Sequence, residues 1–139
     1  MKIFFDTEFT GLTSAPRLLS IGLVAENDAA LYIEFTDGWL EAQCSPWVRA
    51  NVLPMLGTGE RLTRCDAGAR IVTWLLLFES SPTLLGETTW DTELFAELMR
   101  ECRLDPSRFQ LSALSFHDKV QANAFDAAKQ LYFRVQKAP

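Results

Sequence analysis

The sequence contains few cysteines, a single histidine and no long hydrophobic run. Its 3 cysteines, Cys44, Cys65 and Cys102, form no Cys-x-x-Cys pair, which excludes the usual spacing of a zinc or dithiol site. We therefore predict buried thiols in a reducing cytoplasm. The longest apolar stretch, residues 71–78, is far shorter than the ~20 residues that cross a bilayer, so no membrane contact is predicted. Acidic residues also interrupt the first apolar run too early for a signal peptide.

Basic residues are also in the minority. The chain has 13 Lys and Arg against 18 Asp and Glu, with a formal net charge of −5. This balance argues against a protein that binds nucleic acid through a broad positive field. A length of 139 residues, 48% of them apolar, fits one globular domain, which we expect to span residues 1–139.

Three apolar segments near the N-terminus predict three consecutive strands, at residues 2–6, 18–26 and 30–36. The segments between them are short and rich in turn-forming residues. A parallel return would need about a dozen connecting residues, so these strands are expected to pair as an antiparallel meander.

Helices and strands are predicted to alternate along the rest of the chain. Apolar periodicity predicts helices over 66–78, 91–102 and 119–136, a short helix after Ser45-Pro46, and strands over 83–87 and 109–114. The expected fold class is therefore α/β, with a mixed five-stranded sheet whose first three strands are antiparallel, flanked by helices.

Two carboxylates lie at the end of the first predicted strand. Asp6 and Glu8 are two residues apart, so both side chains project to the same face of an extended segment. Adjacent acids repel each other unless a cation or a shared proton separates them, and Mg²⁺ or Mn²⁺ prefers such oxygen ligands. Asp91 opens a predicted helix, and Asp126 lies among apolar neighbours in the last one. These four acids are the candidate metal ligands.

The segment DTEFTGL at residues 6–12 resembles the first motif of the DEDD 3′→5′ exonucleases, whose fold is RNase H-like. Residues 90–95 (WDTELF) are similar to the second motif of this family, and residues 122–129 (ANAFDAAK) to the third. The three motifs follow one another in the same order as in the family. Residues 21–26 are similar to the second strand of the small exoribonucleases of this superfamily, such as RNase T and oligoribonuclease.

This resemblance implies a two-metal phosphodiesterase that releases nucleoside 5′-monophosphates. Asp6 would bridge two Mg²⁺ or Mn²⁺ ions, Glu8 and Asp126 would complete the site of the first ion, and Asp91 would act through a water. The resemblance to the small exoribonucleases favours RNA over DNA as the substrate of this chain. The scattered basic residues favour single-stranded ends over duplexes.

Phe9, Gly11 and Leu12 match family positions that line the pocket for the 3′-terminal nucleotide. Their alternative interpretation is a tight strand end with two core side chains. Ten Phe and four Trp in so short a chain also favour an exposed apolar patch and a homodimer.

The third motif departs from the family at its general base. Most members have a His five residues before the Asp, and others a Tyr four residues before it, but here these positions are Gln121 and Ala122. The single histidine, His117, lies nine residues before Asp126. It is either a displaced general base in a loop before the helix or a surface histidine.

Two other functions remain open from the sequence. The Asp-x-Glu-x-Thr segment superficially resembles the Asp-x-Asp-x-Thr of haloacid-dehalogenase phosphatases, which would require parallel βα units after the first strand. The missing base also allows a catalytically degenerate nuclease fold that binds nucleic-acid ends or a protein partner without turnover.

Overall fold

The computed structural model describes residues 1–57, 59–78, 81–105 and 109–113. Over these residues the strands are β1 Lys2–Phe9, β2 Leu18–Ala25, β3 Ala30–Phe35, β4 Glu60–Leu62, β5 Thr83–Gly86 and β6 Gln110–Ala113. The α-helices are α1 Pro46–Asn51, α2 Arg64–Leu75 and α3 Thr89–Glu101. Two 3-10 turns, Glu41–Gln43 and Leu53–Met55, flank α1.

The strands form one mixed sheet with the order β4-β3-β2-β1-β5-β6. β1 pairs antiparallel with β2, and β2 antiparallel with β3, so the predicted meander is confirmed. β5 runs parallel to β1, and β6 parallel to β5. The phosphatase alternative is wrong, because the strand after β1 returns directly and antiparallel instead of through a βα unit.

Over the described residues the sheet has six strands rather than the predicted five. The additional strand, β4, pairs parallel with β3 at the edge of the sheet. It is only three residues long, and Glu60 and Arg61 are exposed, so it lacks the apolar run by which the other strands were predicted. The predicted closing helix, 119–136, lies outside the described residues.

The main core fills the space between one face of the sheet and helices α2 and α3. Ile3 and Phe5 of β1 point to this face, and the ring of Phe5 lies 5.3 Å from that of Phe95 on α3, centroid to centroid. Alternation along β1 therefore turns Phe4, Asp6 and Glu8 to the opposite face. Among the described helices, none is long and apolar enough to cross a membrane.

The prediction of three buried thiols is wrong for two of the cysteines. Cys65, in the first turn of α2, forms a disulfide with Cys102, which follows α3, with 5.2 Å between their Cα atoms. Cys44 is a free, buried thiol as predicted. The pairing of these two cysteines, 37 residues apart, could not be predicted from the sequence, because only the packing of α2 against α3 brings them together.

Candidate active site

The candidate site lies where β1 extends past the end of β5. Their parallel register ends with Phe5 beside Gly86, so Asp6 is the first residue of β1 beyond the last paired position. The chain then turns through Glu87 and Thr88 into α3. This turn brings the first turn of α3 beside Asp6 and Thr7.

Three carboxylates meet at this point: those of Asp6, Glu87 and Asp91 offer oxygen atoms that all lie within 4.8 Å of one another. Asp6 and Asp91 were predicted to belong to one site, and the structure brings them together. Glu87 was not predicted. Glu87 could have been predicted from the strand topology. It directly follows β5, and because β5 is parallel to β1, the ends of both strands lie at the same edge of the sheet.

Burial, and after it repulsion between like charges, disfavours the ionised form of Asp6 in this cluster. Burial raises the pKa of Asp6 to about 9, and a hydrogen bond with Glu87 and the negative charges of Asp91, Glu87 and Glu8 add to the shift. Asp6 therefore holds a proton at neutral pH when no cation is present. Acids in this arrangement either share a proton or bind a cation.

Asp91 is 2% exposed and fully hydrogen-bonded. Its Oδ1 accepts from the N–H of Thr7, at 3.1 Å, and from the Thr7 hydroxyl. Its Oδ2 accepts from the N–H and the hydroxyl of Thr88, both at 2.9 Å. Burial raises the pKa of the Asp91 carboxyl, and these hydrogen bonds oppose the shift. Asp91 does not open α3 as predicted: Thr88 is the N-cap, and Asp91 completes a capping box as the third residue of the helix.

Glu8 connects the carboxylates to a cleft. It lies on the same face of β1 as Asp6, and its charge contributes to the raised pKa of Asp6. Glu8 also lines a cleft of about 520 Å³. The carboxylate cluster and the cleft are therefore contiguous.

The three residues predicted to bind the terminal nucleotide, Phe9, Gly11 and Leu12, all line this cleft. Ser45, Trp47 and Val48 line it as well. Leu12 is 75% exposed and is therefore not a core side chain, whereas Phe9 is half-buried and packs against the main core, as the alternative interpretation expects. Trp47 is 63% exposed.

Gly11 allows the chain to turn closely past α1. Its φ is +153°, and a Cβ there would lie 3.3 Å from the Cβ of Ser45, the N-cap of α1. The N–H of Ser45 donates to the carbonyl of Thr10 at 2.8 Å. The absence of a side chain at Gly11 therefore allows the two walls of the cleft to lie this close together.

The tryptophans near this site differ in their availability. Trp90 stacks on Phe9, with ring centroids 5.9 Å apart and 18° between the planes. Trp39 packs against the main core, and its indole N–H donates to the carbonyl of Phe35 at 2.8 Å. Trp47 is thus the tryptophan that presents an exposed face to the cleft.

Two predicted site residues, Asp126 and His117, lie outside the described residues, together with Gln121 and Ala122. Their roles as a metal ligand and as a displaced base stay predictions. The described acids nevertheless fit a hard divalent cation, because they offer only carboxylate oxygens and their mutual repulsion would be relieved by positive charge.

No protein-family model and no curated protein sequence matches this chain. Solved structures do match its fold. One is the zinc-bound crystal structure of an E. coli exonuclease I–single-stranded DNA complex, with a TM-score of 0.57 and 16% identity over 88% of this chain. Another is E. coli exonuclease I in complex with a dT13 oligonucleotide, with a TM-score of 0.55 and 16% identity over 88% of this chain.

The structure of apo exonuclease I matches with a TM-score of 0.57 and 17% identity over 88% of this chain. The fold of this chain is RNase H-like, as predicted, with one strand more than expected. The chain spans only 29%, 29% and 30% of the lengths of these three neighbours. At this identity the likeness concerns the fold.

Proposed function

We propose that this chain is a divalent-metal-dependent 3′→5′ exonuclease domain that shortens single-stranded nucleic acid from its end. The observation that supports this most directly is the position of Glu8, which lines the cleft and also acts on Asp6. A nucleotide in the cleft would therefore lie beside the carboxylates. The RNase H-like fold supports the same proposal.

Asp6 and Glu87 of the carboxylate cluster would hold the cation, and Glu8 and Asp126 are the further ligands that the sequence predicts. Mg²⁺ or Mn²⁺ bound there would supply Lewis-acid stabilisation of the phosphodiester and activate a water for attack. In the metal-free protein the Asp6–Glu87 pair retains a proton, which must leave when a cation binds.

The cleft residues would bind and orient the terminal nucleotide. Leu12 and Trp47 are exposed apolar side chains that line the cleft, so a base could pack against both. Phe9 is fixed by its stack on Trp90, which places it as a rigid wall. Stacking on such side chains is tolerant of base identity, as a non-specific exonuclease requires.

RNA as the favoured substrate is the finer part of the proposal. It rests on the resemblance of residues 6–12 and 21–26 to the small exoribonucleases, whereas the neighbouring structures are complexes with single-stranded DNA and with a dT13 oligonucleotide. Both sugars therefore belong in the test.

The test is incubation of 5′-labelled single-stranded RNA and DNA of the same sequence with the protein in Mg²⁺ or Mn²⁺. We expect stepwise shortening from the 3′ end that is lost in Asp6→Asn and in chelator. Asp28→Asn is the matched control, because Asp28 lies in the exposed β2–β3 turn with a φ of 68°, which Asn also adopts. Binding of the oligonucleotide without shortening would instead identify the degenerate end-binding module.

The homodimer and the cytoplasmic location stay predictions. Light scattering at low micromolar concentration tests the first of them.

A further inference from the structure

The carboxylate of Asp91 lies in the acidic cluster, but its two oxygens already accept four hydrogen bonds within the fold. A carboxylate offers about four lone-pair positions on its two oxygens. In this structure Oδ1 accepts two hydrogen bonds from Thr7, and Oδ2 accepts two from Thr88. A cation that coordinated Asp91 directly would have to displace at least one of these buried donors and leave it unsatisfied.

We propose that Asp91 is a positioning residue which, with Thr7 and Thr88, forms a latch between β1 and α3 and holds the other carboxylates in place without binding a cation itself. The inference deepens the proposed function and rests on it for the role of the site. The latch itself is a property of the metal-free fold.

The chain positions of the donors explain how the latch would act on the site. Thr7 lies between Asp6 and Glu8, and Thr88 directly follows Glu87. Both backbone segments that present the remaining acids are therefore bound to the same carboxylate group. Thr7 is buried and belongs to the side of β1 that faces α3, which lets Asp6 and Glu8 face the opposite side.

The packing around the latch leaves little freedom for this geometry to change. A Cβ at Gly86 would lie 2.9 Å from Cγ2 of Thr92 and 3.3 Å from the Cβ of Asp91, so only glycine allows α3 to approach β5 this closely. Latch residues, close packing and capping box together fix the start of α3 relative to β1.

The latch is tested first without metal. Thermal unfolding in chelator is measured for Thr7→Val, Asp91→Ala and the double variant, with Thr73→Val, on an exposed position of α2, as the control for valine. We expect Thr7→Val to lower Tm by about 4 °C, Asp91→Ala to lower it further, and the double variant to match Asp91→Ala. Fully additive losses would overturn the latch.

The role at the site is tested by the affinity for Mn²⁺, measured by calorimetry. We expect Thr7→Val and Asp91→Ala to weaken binding by a similar factor, on the order of tenfold, as residues that orient ligands do. Thr7→Ser, which retains the hydroxyl, should keep the native affinity. Loss of all binding in Asp91→Ala with native affinity in Thr7→Val would overturn the proposal and make Asp91 a ligand.

The two proposals fail in different ways. A native chain that binds no Mn²⁺ would contradict the proposed function, while the unfolding measurements in chelator would still confirm or overturn the latch.

Discussion

The acidic side chains of Asp6 and Glu87, which lie 81 positions apart in the sequence, form a hydrogen bond with each other. Such a bond needs one of the two groups to be protonated. Asp6 is that group, because burial and three neighbouring acids raise its pKa to about 9. The metal-free site therefore changes charge over a pH range in which ordinary carboxyls do not.

The stability of the metal-free protein should depend on this proton. The unfolded chain has an Asp6 pKa of about 3.9, so between about pH 4 and pH 9 the folded state binds more protons. Stability from this group is therefore full below pH 4 and falls as the pH rises through the window. We expect the Tm of Asp6→Asn to exceed the native Tm by a small amount at pH 5 and by several degrees more at pH 8.5, in chelator. An equal difference at both pH values would contradict the assignment.

Glu87 should contribute to metal affinity although the sequence motifs do not include it. Glu87→Gln keeps the shape of the side chain and removes one negative charge next to Asp6. We expect Mn²⁺ binding to weaken about tenfold or more and the thermal stabilisation by Mn²⁺ to shrink accordingly. Glu93→Gln, on an exposed position of α3, is the control and should bind normally. Native affinity in Glu87→Gln would remove this residue from the site.

Trp47 should affect substrate affinity without affecting folding. Its side chain is 63% exposed and lines the cleft. Stacking of one base on an aromatic ring contributes about 1–3 kcal/mol, so Trp47→Ala should raise KM for short oligonucleotides roughly tenfold or more and leave Tm unchanged. Leu76→Ala, at the exposed end of α2, is the control. An unchanged KM would place the base elsewhere.

The Cys65–Cys102 disulfide should stabilise the fold. It closes a loop with a sequence separation of 37 residues, for which the chain-entropy relation gives about 4 kcal/mol. We expect a reductant to lower Tm by several degrees in the native protein and to have no effect on Cys65→Ser, whose Tm should equal that of the reduced native chain. Equal Tm values with and without reductant would show that the bond does not form in solution.

The parts of the fold with dense apolar patterns were predictable from the sequence. β1, β2 and β3 are continuous runs of Ile, Leu, Val and Phe joined by short turns, which leaves only a meander. β4 was missed because its pairing with β3, rather than its own composition, makes it a strand. The first turns of α2 and α3 were misplaced by two residues, since the N-caps are Thr63 and Thr88 and the acids that follow lie inside the helices.

The site residues that lie along one strand could be predicted from the sequence. Those that come together only through contacts between separate elements could not. Asp6, Glu8 and the residues from Phe9 to Leu12 are local to the end of β1. Asp6 belongs to the carboxylate cluster, and Glu8, Phe9, Gly11 and Leu12 line the cleft. Glu87 and the role of Thr7 depend on the parallel pairing of β1 with β5 and on the approach of α3. Neither relationship can be derived from a periodicity within one segment.

Helix α3 is restrained at both of its ends. Near its start, Asp91 is bound to Thr7 and Thr88, and beyond its last turn the Cys65–Cys102 bond joins it to α2. Beside that bond, the buried Arg64 forms an ion pair with Glu101, with Nη2 2.8 Å from Oε2. Because α3 is bonded to other elements near both ends, displacement of Asp91 from β1 would require the helix to bend or one of these bonds to break. The position of α3 therefore depends on bonds at both of its ends, the Asp91 hydrogen bonds at its start and the disulfide beyond its last turn.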